Sequence, residues 1–437
     1  IGSGLVGSEM CIRDRNICIF TIIVLNFLTE ESCMDTKVTC LKNNIEFAYK
    51  KNSNTPRVAF YLNFSLNNPL PEPGVYSLMV RLFMQGTKNR TAQQLSEELD
   101  KYAIEFSSEL KLDYIKFKFV CLNEDFSKAL EIFEDIIKNT TFDDFDKERA
   151  KLEGEIVAEL DSPRAKVIDG YYKNIYEGHN YGYTNTVILE NLNNLKKEDV
   201  VNAYKTIVND SKKVAAFVGD LEYDDVFNQL DKAFGDIAPS VKELPDLRKP
   251  VLDNEKNIEI TKPDMNQAHI IKGWIADTAN SDDYPALALL NIILGASGLS
   301  SRLFLELRDK KGLAYVVRSS YDIAKLAANF SIYIATEPKN IDVSLKGFDE
   351  EIQKIKNVLV SEEELENAKN NIFGKWAFIG ETNSQQANWL AHYGINGFGF
   401  DFQESAKERI KKVTPQDIMD CANKYFNEKS VTVILKP

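Results

Sequence analysis

The sequence is poor in the residues that most often announce a chemistry. Its 437 residues hold only three histidines, His179, His269 and His392, and none lies near enough to another in the chain to make a helical metal pair. The six cysteines form no Cys-x-x-Cys and no dense framework, which excludes a thioredoxin-like motif and a disulfide-stapled scaffold. Cys33, Cys40, Cys121 and Cys421 read as small core residues or free thiols. No glycine-rich segment resembles a phosphate loop. Positive charge is also short: the net charge of -13 argues against nucleic-acid binding, which shows as a basic patch or stripe. No stable membrane span is expected, because a span needs about 20 apolar residues and the run Ile17 to Leu28 is shorter and broken by Thr21 and Asn26.

That apolar run suits the core of a signal peptide. Residues 1–15 read as a translated sequencing-adapter scar, and 16–34 as the remnant of a signal peptide that has lost its charged start. The expected location is therefore periplasmic or secreted, in a bacterium. Glu30 and Glu31 ahead of Cys33 argue against a lipoprotein anchor.

What is present is an ordinary globular composition, 44% apolar and 27% charged, in a chain long enough for two or three cores. The element pattern repeats once, at an offset of about 220 residues. In the first half a strand at 57–66 precedes an apolar helix at 75–84, and Thr91-Ala-Gln-Gln94 is a capping box that opens another. Strands at 103–113 and 114–122, helices at 126–138 and 145–160, a helix at 197–208 and a strand at 214–218 complete it. The second half follows the same order: strand 267–277, helices 284–294 and 299–311, strands 314–322 and 329–336, a helix at 343–356 and one at 361–378 opened by a capping box, Ser361-Glu-Glu-Glu364. It closes with a helix capped by Thr414-Pro-Gln-Asp417 and a strand at 431–435. Asp199 and Asp417 fall at matching places in the closing units. Between the halves, 236–258 carries Pro239, Pro245 and Pro250 among charged residues and reads as a linker. The expected domains are thus 36–235 and 259–437, both α+β, each a mixed and mainly antiparallel sheet covered by helices.

One segment carries the functional reading. Gly74-Val-Tyr-Ser77-Leu-Met-Val80-Arg81-Leu-Phe-Met-Gln-Gly-Thr87 resembles the zinc-binding helix of the pitrilysin/insulinase-type metallopeptidases, the inverzincins, whose frame holds His-x-x-Glu-His. Ser77 and Arg81 fall at the histidine positions and Val80 at the general base. Residues i, i+3 and i+4 share one helical face, so all three would point into one cavity. Serine is a poor ligand, valine accepts no proton, and arginine puts a fixed positive charge where a dication would sit. By the same resemblance Glu148-Arg149-Ala-Lys-Leu-Glu-Gly-Glu155 places Glu155 at the third ligand position and Glu148 in support. The alternative reading of these glutamates is a solvated or ion-paired face of a charged helix. No zinc is expected in this chain.

The second half keeps more of the pattern. Ser300-Ser-Arg302-Leu-Phe304-Leu-Glu-Leu-Arg308-Asp-Lys-Lys-Gly312-Leu-Ala-Tyr315 is similar to the family's second-domain signature, in which the arginine and tyrosine reach the scissile carbonyl. A fixed guanidinium and a phenol suit oxyanion stabilisation. The plainer reading pairs Arg308 with Asp309 or Glu306 and buries Tyr315 in a strand. The resemblance implies two homologous half-domains in a clamshell arrangement. It resembles most the bacterial processing-peptidase-like pairs, in which one chain carries His-x-x-Glu-His and the other does not. The expected function is the non-catalytic subunit of a heterodimeric zinc endopeptidase. The zinc would be in the partner, and the chamber would take unfolded peptide. The competing expectation is an inactive structural or peptide-binding member working without a catalytic partner.

Overall fold

A computed structural model describes residues 36–66, 71–241 and 248–437; the adapter-like and signal-like segments expected at 1–34 lie outside them. Strands β1 (Thr36–Cys40), β2 (Glu46–Lys51), β3 (Arg57–Ser65), β4 (Glu105–Leu110), β5 (Tyr114–Leu122) and β6 (Lys213–Gly219) build one sheet in the order β1-β2-β6-β3-β5-β4. Strands β7 (Lys256–Thr261), β8 (Ala268–Ala276), β9 (Ala314–Ile323), β10 (Ala328–Thr336) and β11 (Val431–Lys436) build the other, in the order β7-β11-β8-β10-β9. The second order repeats the first from β2 onward. The pairing senses repeat too: β2 with β6 and β7 with β11 are parallel, and the remaining assigned pairs are antiparallel. The fold is therefore α+β, with two alike half-domains arranged as a clamshell pair.

Local sequence explains most elements. The Thr91 hydroxyl accepts from the Gln94 backbone N–H and the Gln94 side-chain oxygen accepts from the Thr91 backbone N–H, the full capping box of the helix Ala92–Lys101. Asp199 accepts from the Lys196 backbone and Asp417 from the Thr414 backbone, each at 2.8 Å, so the matching aspartates do the same work in both closing helices. Ser361 caps the helix Glu362–Ile379, but its box is half made: Glu364 turns instead to Arg302, which grips it through two bonds of 2.7 and 2.8 Å. A bidentate charged pair is stronger than a neutral cap, so the tertiary partner wins.

The strands of each sheet alternate between two buried faces. On β3, Val58, Phe60, Leu62 and Phe64 enter the core beneath the half's own helices, whereas Ala59 and Tyr61 face the other way. That outer face is covered by the helix Asn383–Asn396, which comes from the second half. Conversely the helix Pro163–Ile175, from the first half, lays Val167, Tyr171 and Ile175 on the outer face of the second sheet. Tyr171 approaches so closely that a Cβ on Gly273 of β8 would lie 2.1 Å from its hydroxyl. Glycine is required there by contact, not by backbone angle. This reciprocal exchange makes 37–437 a single compact unit.

The exchanged helices are anchored by polar contacts. Tyr61 bonds Ser384 at 2.8 Å, Asn383 donates to the Arg57 carbonyl at 2.6 Å, and Tyr114 meets His392 Nδ1 at 2.9 Å. Burial, with Lys111 and Lys116 adding to it, pushes the His392 imidazole down to about 4, so it is neutral at pH 7. The segment expected as a linker is partly built into the first half: the Lys213 backbone donates to the Ser240 hydroxyl at 2.8 Å. Its final residues already belong to β7, and Leu252 is buried against the exchanged helix Pro163–Ile175.

Candidate functional site

Ser77, Val80 and Arg81 lie on one face of the helix Val75–Leu82, half-buried, while Val75, Tyr76, Leu78, Met79 and Leu82 fill the core behind them. Opposite stands the helix Phe145–Asp161. Arg81 reaches across to it and closes a two-bond pair with Glu155, Nη1 to Oε2 at 2.8 Å and Nη2 to Oε1 at 2.7 Å. Its Nε lies 3.4 Å from Glu148 Oε2 but out of line for a hydrogen bond, so that contact is electrostatic. Glu148 is only 4% exposed and also takes Lys151. The hydrogen bonds and charge of Arg81 hold the Glu155 carboxyl below the ordinary carboxylate range, and Glu155 raises Arg81 in return. The expected metal face is thus occupied by an internal cation bound between two carboxylates.

The second site uses unusual backbone. Two π-helical segments, Ile292–Ala296 and Phe304–Lys310, stand beside β9, where the sequence reads as ordinary helix. Such segments are rare and concentrate at functional sites. Ser319 of β9 anchors the residue just ahead of the first one, its hydroxyl donating to the Asn291 side chain at 2.7 Å. Gly295 passes so near that a Cβ would lie 2.2 Å from the Ser319 nitrogen. Arg308 rises from the second segment with its guanidinium 4.6 Å from the Phe304 ring centre and 4.7 Å from that of Tyr315. Stacking on aromatic faces fixes a guanidinium without neutralising it. Glu306, its expected local partner, instead takes Lys310 and Lys354. Tyr315 is on a strand as the plainer reading requires, but it is 76% exposed. The two residues border a groove of about 530 Å³ with Leu299, Phe304 and Arg318.

The family model "Insulinase (Peptidase family M16)" matches residues 47–186, and "Peptidase M16 inactive domain" matches 194–372. An uncharacterized zinc protease of Rickettsia felis is 26% identical over 372 residues, covering 84% of this chain and 88% of that protein. One of Bacillus subtilis is 25% identical over 410 residues, covering 92% and 98%. A protease from Helicobacter pylori has the same fold, with a TM-score of 0.85 at 21% identity over 92% of this chain and 99% of its own. The structure titled peptidase M16 inactive domain from Pseudomonas fluorescens gives 0.83 at 19%, over 92% and 98%. The chain belongs to the insulinase-type M16 peptidase family.

The zinc that this M16 family implies does not fit the residues of its usual helix here. A catalytic zinc needs three nitrogen or oxygen ligands and an open position for water. Ser77 is a poor ligand, Val80 is none, and Glu155 is already committed to a guanidinium standing between it and Glu148. Among the described residues no group of three His, Cys, Asp or Glu side chains is arranged to hold a metal. The histidines go elsewhere: His179 caps a short turn, His269 bonds Tyr333 at 2.7 Å, and His392, on the exchanged helix, meets Tyr114 of the first half. None of the described helices is long and apolar enough to cross a membrane.

Sequence reasoning missed Arg318, which lines the same groove as Arg308. It stands three residues beyond Tyr315, and no spacing in the chain marks it. What distinguishes it is the company it keeps in space.

Proposed function

We propose that this M16 chain is the non-catalytic subunit of a heterodimeric zinc metalloendopeptidase, located in the periplasm or secreted. It forms part of the chamber for unfolded peptide and contributes Arg308 and Tyr315 to the active site of a partner that carries His-x-x-Glu-His and the zinc. The observation that carries this reading is the state of Arg308: aromatic rings hold it, no carboxylate among the described residues pairs with it, and an exposed phenol stands beside it. Such a pair can donate to an oxyanion as it forms on a peptide carbonyl. Arg81 supports the same division from the other side, because its ion pair takes the place of the metal.

The test is co-expression with an M16 chain that has an intact His-x-x-Glu-His. The purified single chain is expected to hold no stoichiometric zinc and to cleave nothing. The complex should cleave unfolded peptides, and a chelator should stop it. Arg308→Ala should lower kcat/KM by about 10²-fold with complex formation unchanged, the usual scale for one oxyanion donor. Full activity from that variant removes the catalytic role. A chain that never pairs, yet binds peptide, supports the inactive binding protein instead.

A further inference from the structure

The arginines of this chain divide by their partners. Arg57, Arg81, Arg90, Arg149 and Arg302 each sit on a carboxylate. Arg164, Arg308, Arg318 and Arg409 have no carboxylate at ion-pair distance among the described residues, and each instead lies over an aromatic ring; Arg409 is spent on the Ala279 and Ser281 carbonyls. Carboxylates are not scarce: the chain has 66 acidic residues against 53 basic ones. The other three have neither a carboxylate nor a carbonyl partner among the described residues.

They also lie near one another, although Arg164 borders a separate groove with Glu159 and Asp169. Arg308 and Arg318 line the same groove, along β9. Arg318 and Arg164 both face the ring of Tyr333, at 5.8 and 5.9 Å, so the positive charge continues from the groove onto the outer face of the sheet. Arg318 Nε is buried without a hydrogen-bond partner. Asp322, four residues along β9, takes the Tyr172 hydroxyl at 2.9 Å; it makes no ion pair with Arg318, though the charge of Arg318 favours its ionised form. β9 is the last strand of its sheet, so one row of its backbone donors and acceptors has no neighbouring strand. An open strand edge binds extended chain through the backbone, and guanidiniums beside it select carboxylates.

We propose that the free edge of β9 takes an extended acidic peptide segment, its backbone added as a strand and its Asp or Glu side chains held by Arg318 and Arg164, with Arg308 and Tyr315 at the end of the same groove. This names a substrate class for the chamber of the proposed function and rests on that reading.

The full chain, without partner or metal, is titrated by fluorescence anisotropy with three fluorescein-labelled unstructured peptides. They are identical except for a central Glu-Glu, Gln-Gln or Lys-Lys pair. The Glu-Glu peptide is expected to bind about tenfold more tightly than Gln-Gln at low salt, with Lys-Lys weakest. The combined variant Arg318→Gln, Arg164→Gln should abolish that preference while its thermal unfolding matches wild type. If the variant unfolds early, the salt dependence of the wild-type preference decides: a preference that persists in high salt overturns the proposal. Equal affinity for all three peptides, no binding to wild type, or a preference that survives in a folded variant also overturns it. Because no cleavage is read, this result is separate from the subunit role. An acidic preference without Arg308-dependent turnover in the complex would sink the proposed function alone.

Discussion

Arg81 and Arg308 are the same side chain put to opposite uses in the two half-domains. Arg81 spans two helices and is consumed by Glu155 and Glu148; Arg308 is clamped between rings, and no described carboxylate consumes it. The first has become part of the scaffold, since an ion pair already satisfied inside the protein has nothing left for a ligand. The second remains available, because stacking restricts its motion and leaves its N–H groups unspent. One half thus carries an arginine as an internal cation between two carboxylates, while the other carries one whose donors no described carboxylate takes.

The contrast breaks most easily at Arg81. Arg81→Met leaves Glu155 without its guanidinium and the buried Glu148 with only Lys151, and should cost about 2 kcal/mol, well short of a fully buried pair because Glu155 is 60% exposed. Urea unfolding reads this, and adding Glu155→Gln should return about 1 kcal/mol by removing the stranded charge. An unchanged midpoint in Arg81→Met would mean the pair is decorative. A smaller effect concerns pH. Arg81 holds the Glu155 carboxyl below its unfolded value, so the pair's contribution is full above the ordinary glutamate range near ~4.3 and fades as pH falls through the lowered value. Below about pH 4 the Arg81→Met stability curve should be flatter than wild type. Arg308→Met, in contrast, should run parallel to wild type there. The smallest effect sharpens the comparison: Arg308→Met should change stability by under about 0.5 kcal/mol, since no buried charge loses its partner. A large loss would make Arg308 another scaffold residue.

Much of this was legible along the chain. The alternation of β3, the capping box at Thr91, the helix start at Thr414-Pro415 and the repeated element order follow from local periodicity and end signals, and the structure reproduces them. The substitutions at Ser77, Val80 and Arg81 were equally plain, because their spacing alone puts them on one helical face. The helices Pro163–Ile175 and Asn383–Asn396 were not legible as sheet covers. Each reads as an unremarkable mixed segment, with Tyr171 in one and Asn383, Ser384 and His392 in the other, and its partner surface lies in the opposite half of the sequence. The π-helical turns beside β9 were hidden for a similar reason: their residues are good helix formers, and the close pass of Gly295 over Ser319 that accompanies the distortion is a tertiary contact.

The sequence by itself determined the two-fold repeat, the family resemblance and the residues that stand at 77, 80 and 81, because these depend on residue types at short fixed spacings. Only the tertiary structure decided which arginines are spent. Whether a guanidinium meets Glu155, a pair of rings or the open edge of β9 depends on groups tens or hundreds of residues away, and charge is neutralised by neighbours in space.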